Sequence, residues 1–499
     1  MEEYRPTVIL TCVAVYLVMC IGIGLWAMMR TKSTRDFFMA GRHLGIVVTS
    51  VAVFSSTMSG FGFVGGPGLV YRMGMSSLWM VVCTSIGFSL TFFLLGKRLR
   101  LFAELRDSIS LPDAVMARYN SATSSGLTAV AILMGVIGYL ATQILAMATV
   151  LQSILAGIDW IGLIPIELSV AISCFVLVFY CVTGGIIASV YTDLVQGFVM
   201  MIAAGLVFVT AMLAVDGGFE GMSRTLVADD PEAISPWGTL GILGCLSWYF
   251  LFTLGGAGQP HVITKLMMTR NVDDARHMLP LSILGYTVSA LLWISIGLAM
   301  RTLVLQGVHP ELAKADDAAP AFLQSYAHPL LAGIVFAGLL AAIMSTADSF
   351  LNIGAAAVVH DIPRAMRGRS LVHELFWART ATVVIAAIAA GFALYSGERF
   401  VALLGAFGWG TFAAAIVPTV AIGFNWKRAT PMAANVAILS SLVVNFGVKL
   451  LEMFTDFSIP FKIHEGALAL MVSLTLFLGI SLMSRPQKIA DDIEAAMEL

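Results

Sequence analysis

Apolar residues make up 59% of this 499-residue chain and charged residues 12%, against about 45–50% and about 25% in soluble domains. With a mean hydropathy of +0.91, that composition excludes a soluble globule. The net charge of −2 and the lack of a basic run give no sign of a nucleic-acid partner.

Windows of about 20 residues with at most one charge, enough to cross a bilayer core, recur along the whole length, as in Ile166–Val182 and Val195–Val215. They are continuously apolar where a barrel wall would alternate, so they predict helices. The fold class expected is all-α, a polytopic membrane protein whose residues 1–499 form a single transmembrane transporter domain. Thirteen spans are expected, centred near residues 18, 57, 87, 140, 172, 200, 250, 291, 344, 386, 412, 441 and 473, and they are numbered in that order. Span 1, Val8 to Met29, follows a non-basic start, is too long for a secretory signal and precedes no Ala-x-Ala-like site, so it should stay in the membrane. The six cysteines fall inside apolar spans without metal-ligand spacing and are expected to be small buried hydrophobes.

Positive charge orients the spans. With the N-terminus outside, nineteen of the 28 Lys and Arg fall in cytoplasmic loops, among them Arg35, Arg42, Lys97, Arg106, Lys265, Arg364, Lys427 and Lys488, and eight fall outside, including Arg5, Arg301 and Arg399. The positive-inside rule therefore predicts an N-out, C-in protein of the plasma (inner) membrane. After Arg485 only a minor amphipathic helix at Ile489–Leu499 is expected.

Spans 2 and 7 are interrupted. Span 2 carries Ser59-Gly60-Phe61-Gly62-Phe63-Val64-Gly65-Gly66-Pro67-Gly68 and span 7 carries Gly255-Gly256-Ala257-Gly258-Gln259-Pro260. Glycine costs about 1 kcal/mol and proline about 3 per helix position, so both clusters should unwind locally. In a bilayer that is tolerable only where protein or a cavity satisfies the freed groups. Spans 2–6 (44–215) and 7–11 (238–424) form two sets of five, each opening on its broken helix. An odd number per set inverts the second against the first, and matched broken helices point to a transporter's binding site. Close packing of small residues is the plainer use of such glycines.

Charged groups in the bilayer need a reason, at about 2.5–3.5 kcal/mol each. Asp193 lies in span 6 and Asp348 in span 9, and around Asp348 the positions Ala342, Ser345, Thr346 and Ser349 share one helical face. Hydroxyls and carbonyls suit a hard cation such as sodium, to which the unwound part of span 2 could add the Ser55 and Met58 carbonyls. Bonding of Ser345 and Thr346 back to their own helix is the alternative. Gln143 in span 4 could line a solute cavity or bond between helices. No nucleophile elbow, phosphate loop, HExxH helix or CxxC pair is present, so no enzyme is expected.

From about Arg35 to Arg428 the chain resembles the sodium:solute symporter family. The landmarks are Gly41-Arg42-His43-Leu44-Gly45, Met58-Ser59-Gly60, Leu111-Pro112-Asp113, Thr183-Gly184-Gly185 with Thr192-Asp193 and Gln196, Gly258-Gln259-Pro260-His261, and Met344-Ser345-Thr346-Ala347-Asp348-Ser349. The resemblance implies a LeuT-like fold of two inverted five-helix repeats, one helix before and two after, importing a small organic solute (an amino acid, monocarboxylate or similar) with Na+ by alternating access. It places a sodium site on the carbonyls of Ser55, Met58 and Ala342 and the hydroxyls of Ser345 and Thr346. A second sodium or proton position falls on Asp193, Ser345, Asp348 and Ser349. The solute is expected against Ser59, Gly60, Gln143, Phe252, Gly256 and Gln259. Thr57, Phe252 and Gly256 differ from proline-specific members and point away from proline. The partners expected are the solute, sodium and the lipid bilayer, with the oligomeric state left open. A proton-coupled carrier on the same fold, and a channel or embedded sensor, are the alternatives.

Overall fold

The computed structural model describes residues 4–30, 44–156, 158, 164–395 and 401–498. The motif residues Gly41, Arg42 and His43, the basic Arg35 and the outer Arg399 lie outside the described residues. Helices account for nearly all regular structure, and an isolated bridge pairs Leu44 with Thr269.

Among the described residues, eleven helices are long and apolar enough to cross a membrane, and Ile46–Thr57 and Ile166–Phe179 are shorter apolar helices. The difference from thirteen has two sources. Span 2 is divided, its first half forming Ile46–Thr57 and its second half running on within Phe61–Leu105. Spans 5 and 6 are continuous in the backbone as Ile166–Ala214. The glycines at Thr183-Gly184-Gly185 do not stop that helix, because about 1 kcal/mol per glycine is small against packing.

The interior is built from spans 4, 9 and 11. In their most apolar windows Ala122–Ala156 is 78% buried, Pro329–Arg367 83% and Val401–Ile422 94%, whereas Pro431–Phe454 is only 22% buried. The last two spans thus present most of their surface outward, as lipid-facing helices do. Span 1 packs on spans 6 and 9, and the helix of span 8, Asp274–Leu305, packs on both halves of span 2.

Both broken helices are present, with a shift in where the first one breaks. Span 2 stops at Thr57, Met58 takes φ −77 and ψ 78, and the glycine-rich Phe61–Gly65 winds as a π-turn into the helix Gly66–Met73. The break, at Met58, falls two residues ahead of the first glycine, Gly60, and the glycines instead allow close approach. A Cβ on Gly66 would lie 2.3 Å from the Trp293 ring, and one on Gly65 2.7 Å from the Ala402 amide. In span 7 the helix Gly241–Gly255 passes through a single 3₁₀ turn, Gly256–Gly258, to Gln259 at φ −80 and ψ 109, and resumes as Pro260–Met267.

Among the described residues, the basic loops gather at one end of the molecule. Arg106 pairs with Asp492 and Lys97 with Asp273, Lys427 pairs with Glu494 and Glu498, and Arg364 pairs with Asp113. The helix Asp491–Glu498 buries Ile493, Ala496 and Met497 against this end, so it is docked. At the opposite end Arg5 donates to the Ala327 carbonyl and Arg301 pairs with Asp229. One basic residue left the loop set: Lys265, expected in a cytoplasmic loop, is 1% exposed inside the protein. Span 7 continues through Leu266 and Met267, carrying Lys265 into the core.

Candidate ion and solute site

The break in span 2 sets the first part of the site. In an unbroken helix the Ser56 carbonyl would accept from the Gly60 amide. That amide turns instead to Gln143 Oε1 of span 4, at 2.9 Å. The Ser56 carbonyl meets Thr346 Oγ1 of span 9 at 2.9 Å, and the same hydroxyl lies 3.0 Å from the Ala342 carbonyl. A hydroxyl carries one proton, so it serves one of these carbonyls at a time and leaves the other facing oxygen. Ser345 Oγ adds a fourth oxygen, 3.5 Å from the Ala342 carbonyl. An oxygen-rich point of this kind favours a hard cation.

Ala342, Ser345 and Thr346 are thus together as expected. The carbonyl that reaches Thr346 belongs to Ser56, between the expected Ser55 and Met58, and the Ser55 hydroxyl bonds back to Ala52 at 3.3 Å. The sequence could locate the broken segment but not which carbonyl turns toward span 9.

One turn deeper lies a charged group. Asp193, Asp348 and Ser349 are each at most 1% exposed. Lys265 Nζ sits 3.1 Å from Asp193 Oδ2 and donates to the Ala52 carbonyl at 2.8 Å. Asp348 Oδ1 accepts from Asn352 at 3.1 Å, and its carboxyl interacts electrostatically with both Lys265 and Asp193. The Asp348 carboxyl also faces the Cys181 thiol and the Ser189 hydroxyl, and that of Asp193 faces the Ser345 hydroxyl, but Asp193 Oδ1, Asp348 Oδ2 and the Ser349 and Ser189 hydroxyls make no hydrogen bond of good geometry. Such atoms are rare in a folded protein and mark a place where an ion, water or proton belongs.

The solute residues surround the two breaks. Ser59 Oγ pairs with Tyr139 OH at 3.1 Å. Phe61 stacks on Phe252 at 6.4 Å, and Phe252 meets Trp409 at 5.5 Å. Gln259 Nε2 donates to the carbonyls of Gly255 and Trp409 at 2.9 and 3.3 Å, which satisfies backbone freed by the second break. Gln143 Nε2, Gln259 Oε1 and Trp409 Nε1 remain unpartnered. Gly256 is pressed to the backbone of Gly87, 3.0 Å from where a Cβ would stand, so its part is to let two helices touch. Tyr139 and Trp409 were missed in the sequence, where nothing separates them from other aromatic residues of apolar spans. Lys265 carried a usable signal: apolar Leu266-Met267-Met268 follows it.

A second polar cluster lies at the basic-loop end. His360 bridges Asp113 and Glu374, each at 3.1 Å, Arg364 pairs with Asp113 at 3.0 Å, and Ser110 donates to Asp361 at 2.6 Å. Burial works to raise the Asp113 carboxyl, yet His360 and Arg364 outweigh it and hold it below the usual 3.8. Between this cluster and Lys265 lies a small cavity, lined among others by Ser110, His261, Ser349, Asn352 and Asp361. His261 lines this cavity, with neither ring nitrogen hydrogen-bonded.

A broken span 2 that meets span 9 at an oxygen-rich junction and a second broken helix, span 7, through aromatic rings is the kind of arrangement in which secondary transporters bind ion and solute. The sodium:solute symporter family matches residues 37–441, and the chain belongs to it: it is a sodium-coupled membrane transporter of small solutes, not an enzyme. The osmoregulated proline transporter OpuE of Bacillus subtilis (strain 168) is 27% identical over 98% of both chains. A sodium/proline symporter of Staphylococcus aureus is 27% identical over 95% of this chain and 92% of its own. A Na+-coupled sialic acid symporter, in a substrate-bound outward-open state, shares the fold with a TM-score of 0.77 at 18% identity, covering 97% of this chain and 99% of its own. Mhp1, a nucleobase-cation-symport-1 family transporter, has a TM-score of 0.57 at 13% identity over 94% of this chain and 99% of its own.

Proposed function

We propose that sodium binds at the junction of Ser56, Ala342, Ser345 and Thr346, with Ser55 and Met58 at its border, and couples there to the entry of a small zwitterionic solute. The observation that carries this is the Thr346 contact with Ser56 across the break. It joins the proposed repeats, 44–215 and 238–424, through one hydroxyl that a cation would bind in place of a hydrogen bond. The second position, at Asp193, Asp348 and Ser349, already holds the Lys265 ammonium, so one sodium per solute is the stoichiometry this arrangement supports. A membrane potential of about 100 mV supplies about 2.3 kcal/mol per charge, and tenfold accumulation needs about 1.4.

The solute's chemistry follows from the unpartnered atoms. Gln143 Nε2 and Trp409 Nε1 are donors suited to a carboxylate, Gln259 Oε1 is an acceptor suited to an amine, and the rings of Phe61 and Phe252 suit an aliphatic body. No arginine accompanies them, which disfavours a dianion. A small amino or imino acid fits this set. The two named relatives carry proline, while Phe252 and Gly256 argue for a different fit, so proline is one member of the test and not its premise.

The basic-loop end is the cytoplasmic one in this reading. Moving Lys265 into the core leaves the positive bias intact, and the membrane is the plasma membrane. The test is a panel of amino and imino acids and monocarboxylates, each added to the purified protein with sodium or with choline. A coupled solute raises the melting temperature more in sodium than in choline, since linkage is reciprocal. Equal stabilisation in both salts by every solute that binds would sink the sodium assignment, and stabilisation that follows pH in place of sodium would establish the proton-coupled alternative.

A further inference from the structure

A symporter completes its cycle only if the carrier, emptied of ion and solute, can return across the membrane. In this protein that step meets a difficulty of charge. Asp193 is fully buried, and its carboxyl adjoins the Ser345 hydroxyl, one of the proposed sodium ligands. Once sodium leaves, a buried carboxylate would stand unpaired, and an unpaired ion in such surroundings is strongly unfavourable.

The Lys265 ammonium stands where that charge needs an answer. It is 3.1 Å from Asp193 Oδ2 and 2.8 Å from the Ala52 carbonyl, so it ties span 6 and the first half of span 2 to the second half of span 7. All three elements border the sodium junction. It also lines the small cavity on the side of the basic-loop end. The other oxygen of Asp193, Oδ1, makes no hydrogen bond of good geometry, and the carboxyl adjoins Ser345, on hand for a cation bound there.

We propose that Lys265 is a built-in counter-cation: it neutralises Asp193 whenever sodium is absent, and so lets the empty carrier rest and return without an ion. This rests on the sodium-coupled reading above and goes beyond it by assigning a part of the cycle to a residue outside the sodium and solute shells. A lysine that merely braced the core would stabilise the protein by the same amount with sodium or without it. A counter-cation stabilises the sodium-free protein most.

Sodium itself is the probe, and no solute is needed. The purified full chain, Lys265→Gln, and the double variant Asp193→Asn with Lys265→Gln are melted across a sodium titration at constant ionic strength with choline. Lys265→Gln should lose most stability in choline and recover it with sodium, its apparent sodium affinity tightening by about tenfold or more, because sodium alone then answers Asp193. The double variant, with neither charge, should lose that excess sodium dependence. Parallel melting of Lys265→Gln and the unaltered protein at every sodium concentration, offset by a constant amount, would overturn the proposal while leaving the sodium site standing. A complete lack of sodium response in the unaltered protein would overturn both.

Discussion

The two broken helices solve one problem in different ways. In span 2 the freed groups are taken up by other spans: the Gly60 amide goes to Gln143 of span 4 and the Ser56 carbonyl meets Thr346 of span 9. In span 7 the break is served closer to home, by Gln259 bonding to the Gly255 carbonyl and to that of Trp409, with aromatic rings packed around it. The first break is therefore held by contacts to two other spans, 4 and 9, and suits a small ion that can trade with a hydroxyl. The second is a rigid aromatic wall and suits an organic solute. An interrupted helix in a membrane takes its function from what satisfies it.

Each side of that contrast can be broken by substitution. The largest loss should come from Phe252→Ala, which empties the space between Phe61, Trp248 and Trp409. It should cost about 3–5 kcal/mol of stability, read as a fall in melting temperature that is the same in sodium and in choline. Gln143→Leu comes next. It leaves the Gly60 amide buried without an acceptor, at about 1–3 kcal/mol, and should weaken solute and sodium binding together because the Gln143 bond holds the span 2 break in shape.

Gly256→Ala forces a Cβ against the backbone of Gly87, 3.0 Å away. About 1–3 kcal/mol is expected, with no change in the sodium concentration needed for half-maximal uptake. Thr346→Ala acts on the other side of the contrast. It should alter melting in choline by about 1 kcal/mol or less, the net worth of one hydrogen bond, while raising the half-maximal sodium concentration steeply. Ser345→Ala should do the same more mildly, its oxygen being farther from the Ala342 carbonyl. Unchanged sodium dependence in both variants would end the assignment at span 9. The smallest effect belongs far from either break: Asp492→Asn, in the exposed pair with Arg106, should shift stability by about 1 kcal/mol or less.

A good part of this was legible from residue order. Continuous apolar windows marked the spans, glycine and proline marked both breaks, and hydroxyls three and four residues apart marked the face of span 9 that meets span 2. These depend on composition and helical period, which are local. The family resemblance rested on short motifs in order along the chain, and the match over residues 37–441 agrees with it.

What needed the tertiary structure is of another kind. Helical period cannot say that span 2 breaks at Met58 and not within its glycines, because that depends on Trp293 and Ala402 pressing against Gly66 and Gly65. Nor can it say that Ser56 is the carbonyl turned toward Thr346, since backbone leaving a helix has no fixed direction. Lys265 shows the limit best. From its own neighbourhood it is a basic residue at the end of a span, and partners distant in the chain, Asp193, 72 residues away, and the Ala52 carbonyl, make its burial tolerable.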